Sequence, residues 1–324
     1  MVRLSNAGRF MLGICAVLLA GCGGAQPPGV TPATLPLARA AKGQTLLYIS
    51  NAASQSVYVY AYPAGTPVKT LTGFGAPAGI CVDPSQNVWI VDAAAKKILE
   101  YAHGGTTPIA TLADPSPHAP FACAVDPRTG DLAVTTGGPP YGNGGVLIYP
   151  GAQGSPKRYP VAAVHHLAYD GYDPMGNLFV DGLNGKCCER RHPPVAAFAE
   201  LPQGSSTFAG VSLSGGAFYP RPGGIAWDGT YITVVNVNVV YQLQISGSHG
   251  DVVGSTELKE ANSFFGSEVS PDFILDGRAV AADYSYDSNA WNVGLWRYPR
   301  GGLPLQHFSG SFDGVYGLAI SLAK

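Results

Sequence analysis

The stretch NGKCCERRHPP, residues 184–194, gathers reactive side chains in a chain that is otherwise poor in charge. Charged residues make up only 12% of the sequence, yet acidic and basic side chains surround Cys187 and Cys188 here. Two adjacent cysteines cannot easily join His192 in one tetrahedral site, and their spacing matches no zinc-binding pattern. In an exported protein the two thiols are expected to oxidise. A vicinal disulfide is one option, and Cys81 and Cys123 are alternative partners. We therefore interpret the stretch as a loop rather than a metal centre.

A second set of candidate residues closes the second strand of successive repeat units. Its six members are Asn51, Asp92, Thr135, Asp181, Asn236 and Asp283. In one interpretation each residue caps its own turn through a side-chain-to-backbone hydrogen bond. In the other, Asp92, Asp181 and Asp283 face one channel mouth and hold a divalent cation (Ca²⁺, Mg²⁺ or Zn²⁺), since hard cations prefer carboxylate oxygens. Both interpretations remain open at this point.

His165 and His166 are candidates for a general base, because imidazole can take up a proton near neutral pH. They are adjacent in a predicted strand, so only one of them can face a channel, and a structural role is the favoured interpretation. The sequence contains no Gly-x-Ser-x-Gly nucleophile elbow. Its glycine-rich segment, residues 137–145, precedes a strand and lacks the helix N-terminus that a phosphate site needs.

An internal repeat predicts how these candidate residues are positioned. Each unit has a first strand ending near Asp, a turn, a second strand with a polar end and a third strand followed by Pro or Gly, as in GICVDPSQNVWIVDAAAKKILEYAHGG, residues 79–105. The turn Asp-Pro-x-x-Asn occurs at 83–87 and again at 173–177, where Pro presets φ and the polar side chains bond the nearby backbone. First strands fall near residues 80, 123, 167, 225, 273 and 318, which favours six units over seven. Their spacing is typical of four-stranded propeller blades.

The two ends of the chain supply the parts of one unit. GVYGLAIS, residues 314–321, reads as a first strand with nothing after it, whereas residues 46–65 read as second and third strands with nothing before them. Joining them removes the free sheet edges of a linear array. The predicted fold is therefore all-β: a six-bladed β-propeller in which the N- and C-terminal strands close one shared blade.

Cys81 and Cys123 lie on the first strands of neighbouring units. Their positions in the repeat differ by one residue, so the side chains are expected to point to opposite faces of their sheets. We expect both to be buried as small apolar residues.

The pattern G-I-x-V-D-P-x-x-N-V-W-I-V-D, residues 79–92, resembles the NHL-type six-bladed β-propellers and their relatives, virginiamycin B lyase and the gluconolactonase group. The resemblance covers nearly all of residues 45–324. It implies the propeller architecture and, through the enzyme relatives, a metal at the channel mouth. The glutamate and histidine ligands of those relatives have no counterpart by motif in this sequence.

The N-terminus predicts export and lipid anchoring. Arg3 and Arg9 precede an apolar run over Phe10–Ala20 that is too short to span a bilayer as a helix. The following Leu19-Ala20-Gly21-Cys22 resembles the lipobox of bacterial lipoproteins, which implies that Cys22 is lipidated and holds the protein on a membrane. We expect a signal peptide over residues 1–21, a lipidated and flexible tether over 22–44 and the propeller over 45–324. Gly23, rather than Asp, after the cysteine favours the outer membrane within the bacterial cell envelope.

Long connections between second and third strands are expected to project from one face of the propeller. Together with the connection into the fourth unit they carry the predicted ligand-binding residues: Tyr141, Arg190, Arg191, Tyr219, Tyr284, Tyr286 and Trp291. Tyr, Trp and Arg supply much of the binding energy at recognition surfaces. Alternatively, the aromatic rings only fold these loops down onto the ring.

These observations favour a surface-anchored lipoprotein whose propeller is a binding or scaffold module for a protein or a small ligand. The alternative is a metal-dependent lyase or lactonase with its site at the channel mouth, and a purely structural envelope protein is a third option. The net charge of −2 and the lack of a long basic run argue against nucleic acid as a partner.

Overall fold

A computed structural model describes residues 43–137, 144–184, 195–215, 222–236, 238–261, 272–275, 277–285 and 290–323. The predicted signal peptide, Cys22 and nearly all of the tether lie outside these residues, so the boundaries proposed for them stay predictions. Within the described ranges the chain is almost entirely β-structure, with a single 3-10 turn over Pro150–Ala152. No helix in those ranges is long and apolar enough to cross a bilayer.

The described residues form 24 strands. The first twelve are β1 (Leu46–Asn51), β2 (Ser56–Ala61), β3 (Thr66–Thr72), β4 (Pro77–Val82), β5 (Val88–Asp92), β6 (Lys97–Tyr101), β7 (Pro108–Ala113), β8 (Pro120–Val125), β9 (Leu132–Thr136), β10 (Gly145–Tyr149), β11 (Lys157–Pro160) and β12 (His166–Tyr172). The remaining twelve are β13 (Leu178–Asn184), β14 (Val195–Leu201), β15 (Ala209–Ser214), β16 (Ile225–Trp227), β17 (Ile232–Asn236), β18 (Val239–Ser246), β19 (His249–Glu257), β20 (Asp272–Leu275), β21 (Arg278–Ser285), β22 (Ala290–Arg297), β23 (Gln306–His307) and β24 (Leu318–Ser321).

Local sequence explains the inner parts of each sheet. Every residue of β5 is buried, as expected for a β-branched and aromatic strand covered on both faces. The outer strand β7 is largely exposed. The predicted tight turns are confirmed, because the Asn87 backbone N–H donates to Asp83 Oδ1 at 2.8 Å and the Asn177 N–H donates to Asp173 Oδ1 at 2.9 Å.

The strands are arranged in five sheets. Four sheets have four strands each, in the orders β24-β1-β2-β3, β4-β5-β6-β7, β11-β10-β9-β8 and β20-β21-β22-β23. The fifth has eight strands, in the order β12-β13-β14-β15-β19-β18-β17-β16. Its two antiparallel halves are joined by a short parallel pairing in which Ser212–Ser214 of β15 face His249–Asp251 of β19.

Six strands form the inner ring of the molecule. Around this ring β4 contacts β8, β8 contacts β12, β12 contacts β16, β16 contacts β20, β20 contacts β24, and β24 returns to β4. These six strands lie where the repeat predicted the first strands. The predicted joining of the chain ends is confirmed as well, because β24 pairs with β1 from Ser321 opposite Leu46 to Leu318 opposite Ile49.

Glycine lets the inner strands approach one another closely. A Cβ added to Gly79 would lie 2.6 Å from the Cα of Ala122 on the neighbouring strand. At Gly317 an added Cβ would lie 2.3 Å from the carbonyl oxygen of Ala78. Real Cβ atoms do not occur at such distances from backbone atoms, so these two positions require glycine for close approach.

The hydrophobic core lies between the faces of adjacent sheets, and one part of it corrects a prediction. Cys81 and Cys123 do not remain separate thiols but form a disulfide between β4 and β8, with 5.7 Å between their Cα atoms. The two side chains do point to opposite faces of their own sheets. However, neighbouring sheets of a ring present opposite faces to each other, so this arrangement brings the sulfurs together in the shared core.

Candidate functional site

The inner ring encloses an axial cavity of about 380 Å³, lined by residues from all six inner strands. Four aromatic residues contribute to the lining: Tyr169, Tyr172, Trp227 and Tyr316. The titratable carboxyl groups among the lining residues belong to Asp83 and Asp170, and none of the described lining residues is Lys, Arg or His. The cavity also borders on the disulfide, since Cys81 and Cys123 are both part of its wall.

Asp170 is the most unusual residue of the cavity wall. It lies on β12, opposite Val180, next to an irregularity in the strand pairing between Leu167 and Asp170. The residue is only 5% exposed, and neither carboxyl oxygen has a hydrogen-bond partner among the described residues. Burial, and then the nearby charge of Asp181, raise the pKa of Asp170 well above its ordinary value. An ionised carboxylate enclosed in this way is costly unless something supplies a counter-charge.

Sequence reasoning missed Asp170, although a signal was present. When the turns at 83–87 and 173–177 are superposed, Asp173 occupies the place of Asp83. Asp170 then falls inside the first strand, at the place of the buried Ile80. A carboxylate at a core position of a repeat departs from the hydrophobic pattern without a local reason. Such departures are expected at functional sites.

Asp181 is buried next to Asp170 but is well provided with hydrogen bonds. Its Oδ1 accepts from the Tyr169 N–H at 2.9 Å, and its Oδ2 accepts from the Gly223 N–H at 2.7 Å. Burial raises the pKa of Asp181 to about 7, against the lowering effect of these two N–H donors. The carboxyl group therefore ties the backbone of β12 to the segment that leads into β16.

Asp92 acts as a turn cap. Its Oδ2 accepts from the Gly75 N–H at 2.8 Å, and its Oδ1 accepts from the N–H groups of Ala76 and Ala95 at 3.0 and 3.1 Å. These three bonds hold the connection into β4 against the connection that leaves β5. The arrangement matches the first of the two interpretations of the strand-end residues.

The six strand-end residues are less equivalent than their sequence order suggests. Asn51, Asp92 and Asn236 end their strands, whereas Thr135, Asp181 and Asp283 lie one or more residues before the end. Leu178 and Val88 occupy equivalent positions, because each pairs with the residue just before the aspartate that begins the turn. Asp181 lies three residues after Leu178, whereas Asp92 lies four residues after Val88. Successive strand residues alternate between faces, so Asp92 and Asp181 point to opposite faces of their sheets.

The predicted cation site is not assembled by the residues whose side chains are described. Within those ranges no group of three His, Cys, Asp or Glu residues could hold a metal ion, and neither Asp92 nor Asp181 lines the axial cavity. The third predicted ligand, Asp283, pairs with Asn292 in the ladder between β21 and β22, but its side chain lies outside the description. The three-carboxylate site therefore stays a prediction.

We expect a chelator to leave the melting temperature of the protein unchanged. The oxygens of Asp92 and Asp181 are already used by five backbone N–H donors, so removal of divalent ions should not loosen these connections. The measurement is a melting curve with and without EDTA, together with the metal content of the purified protein. A near-stoichiometric ion whose removal lowers the melting temperature would favour the cation site instead.

The predicted ligand-binding face lies mostly beyond the described ranges. Tyr141, Arg190, Arg191, Tyr219 and Tyr286 are outside the described residues, as are Cys187 and Cys188. The backbones of Tyr284 and Trp291 face each other in the pairing of β21 with β22, and their side chains are not described. The binding role of this face stays a prediction.

The adjacent histidines do not line the axial cavity. His166 is buried at 2% exposure, and the two imidazole rings pack edge to face with 4.8 Å between their centroids. This packing agrees with the structural interpretation that the sequence favoured.

Comparisons with known proteins bear on the fold. No protein-family model and no curated protein matches the sequence. Among solved structures, the hydrazine synthase of Kuenenia stuttgartiensis is similar with a TM-score of 0.60 and 18% identity, over 78% of this chain and 80% of that chain. A protein of unknown function from Bacteroides caccae has a TM-score of 0.57 at 12% identity, and a functionally unknown protein from Desulfotomaculum acetoxidans 0.52 at 8%; each match covers 86% of this chain and 99% of the other.

The fold is a β-propeller. At these identities the likeness extends to the architecture alone and transfers no activity. Function must therefore be argued from the cavity and its wall.

Proposed function

We propose that this chain is an exported, lipid-anchored β-propeller of six blades whose axial cavity binds a small molecule. The observation that carries the proposal is the cavity itself, which every inner strand helps to line. Its wall combines aromatic residues with a carboxyl group that has no hydrogen-bond partner among the described residues. Concave sites with mostly apolar walls and a few polar groups are the usual form of small-ligand sites.

The cyclic order of the six inner strands supports the count of six blades. In this interpretation the eight-stranded sheet represents two blades, β12–β15 and β16–β19, whose outermost strands pair over three residues. Each half has its inner strand on the ring and its own hairpins. This architecture is the one that the resemblance to the NHL-type propellers implied.

The disulfide supports export. Disulfides persist in oxidising compartments and are rare in the cytosol of most organisms. The Cys81–Cys123 bridge is therefore consistent with the lipobox-like Leu19-Ala20-Gly21-Cys22. The anchored propeller would be held at the surface of a membrane of the bacterial cell envelope, with the outer membrane favoured by Gly23.

The metal-dependent lyase or lactonase remains the alternative to a binding role. It rests on the resemblance to the enzyme relatives and on Asp92, Asp181 and Asp283. The five backbone hydrogen bonds to Asp92 and Asp181 favour the binding module over this alternative.

Ligand binding in the cavity is tested with the purified protein and a thermal-shift panel of small cations, neutral molecules and anions. We expect at least one compound class to raise the melting temperature. Ala226→Phe should abolish the shift, because Ala226 is a residue of the cavity wall and a phenyl ring there would take up space that the ligand needs. Leu322→Trp, at an exposed position of the cavity wall, is a second blocking variant.

The control is Ala162→Phe, which adds the same ring at an exposed position that is not part of the wall. It should retain the shift. If every stabilising compound acts equally on the control and on both folded blocking variants, the axial cavity is not the binding site and the proposal fails.

A further inference from the structure

We infer that the axial cavity selects a small organic cation, such as a substituted ammonium group, as its ligand. This inference rests on the proposed function and adds the chemical class of the ligand. It is based on the acidic and aromatic residues that line the same cavity.

The charges of the wall are of one sign. Asp83 and Asp170 are acidic, and the described lining residues include no basic side chain. The Asp83 carboxylate is held by the N–H and the side-chain amide of Asn87, at 2.8 and 3.1 Å. A cleft of low dielectric that carries one sign of charge concentrates the opposite sign inside it. The carboxylate of Asp83, and that of Asp170 once it is ionised, therefore attract cations and repel anions.

Four aromatic residues contribute to the same wall: Tyr169, Tyr172, Trp227 and Tyr316. The faces of such rings attract cations through their quadrupoles, and cages of this composition bind quaternary ammonium groups. An organic cation also gains from burying its methyl groups against the rings. A hydrated inorganic ion lacks this second contribution, which is why the wall fits an organic cation better.

Asp170 explains why a cation rather than a neutral aromatic compound is selected. Its carboxyl oxygens are buried and have no partner among the described residues, and burial favours the protonated form of this group by raising its pKa. A cation bound nearby favours the ionised form, so binding of the cation and ionisation of Asp170 support each other. Charge interactions in a buried setting are several times stronger than in water. A cation in the cavity supplies the counter-charge that the described surroundings of Asp170 do not provide.

The test compares choline with 3,3-dimethylbutan-1-ol, which has nearly the same shape but no charge. Binding of both to the purified protein is measured by titration calorimetry. We expect choline to bind at least tenfold more tightly. Asp170→Asn should remove most of this preference while leaving the affinity for the alcohol unchanged. Trp227→Leu should weaken the binding of choline. Asp251→Asn, which removes a carboxylate from an exposed position outside the wall, should change neither affinity.

Three results would overturn the inference. Equal affinities for choline and the alcohol, both lost in Ala226→Phe, would exclude charge selection but leave the axial binding site standing. A preference for choline that persists in Asp170→Asn would place its origin elsewhere. Failure of choline to bind would refute the inference, whereas the proposed function would fall only if the whole compound panel failed as well.

Discussion

Replacing both Cys81 and Cys123 by alanine should lower the free energy of unfolding by about 4 kcal/mol, because the disulfide closes a loop of 42 residues and this loop restricts the unfolded chain. For a folded part of this size, the loss corresponds to a fall in melting temperature of roughly 7 °C. The bridge joins the inner strands of two neighbouring sheets. Its removal should therefore loosen the ring where β4 meets β8.

Melting curves of the wild type and the double variant, each with and without dithiothreitol, test this prediction. Dithiothreitol should lower the melting temperature of the wild type towards that of the double variant, and should leave the variant unchanged. The reduced wild type keeps both side chains, so this comparison separates the cross-link from their packing. Peptide mapping that finds Cys81 and Cys123 as free thiols in the native protein would contradict the disulfide.

Replacing Asp170 by asparagine should raise the free energy of unfolding at pH 8 by about 1–3 kcal/mol, since the amide cannot ionise and so avoids the cost that burial imposes on the carboxylate at this pH. The folded protein holds the proton of Asp170 more tightly than the unfolded chain, because burial raises its pKa well above 3.8. The contribution of Asp170 to stability is thus fully present below about pH 4 and is lost as the pH rises towards the raised pKa. At pH 4 the wild type and the variant should differ little.

The pH dependence has a second contributor. Burial raises the pKa of Asp181 to about 7, so its contribution is also lost between about pH 4 and pH 7. Tyr172 is the other titratable group coupled to Asp170, and burial and then the charge of Asp170 raise its pKa. Asp170→Asn should therefore reduce the loss of stability between pH 4 and pH 8 but not remove it.

Chemical denaturation at pH 4 and pH 8 measures these changes. The matched control is Asp92→Asn, which also neutralises a buried aspartate but replaces an acceptor that serves three backbone N–H groups. It should destabilise the protein at both pH values. If Asp170→Asn destabilises the protein at pH 8 to the same extent, Asp170 has a partner and its assigned role is wrong.

The Asp170→Asn replacement links the stability of the protein to the inferred ligand. An enclosed and unpaired carboxyl group lowers the stability of the folded protein at neutral pH, and such groups are often found where binding requires them. A variant that is more stable but no longer distinguishes choline from its neutral analogue would therefore support both parts of the interpretation.

The repeat and its turn chemistry were sufficient to predict where the inner strands lie. Turns such as Asp83–Asn87 depend on residues close in sequence, and strand burial follows from runs such as VWIVD over Val88–Asp92. The closing pair of β24 with β1 was also predictable, because an incomplete unit at each end needs a partner. These features are local or follow from completing a repeated pattern.

The remaining features depend on how sheets face one another. Predicting the disulfide would have required knowing that neighbouring sheets present opposite faces to a shared core. The parallel pairing of β15 with β19 joins strands that belong to different repeat units, and no pattern within a unit encodes it. Asp181 and Asp92 point to opposite faces because their positions in equivalent second strands differ by one residue. The strand-end pattern gave no weight to this difference.

The pairing of β24 with β1 also determines when the native protein can be completed. One neighbour of β1 is formed by residues 318–321, so it does not exist until the ribosome has reached these residues. Contacts between such distant segments form slowly, because the entropy of closing the intervening chain must be lost first. The early sheets can assemble during synthesis. β1 has its second neighbour only after residues 318–321 have emerged, and until then its edge is open to other chains.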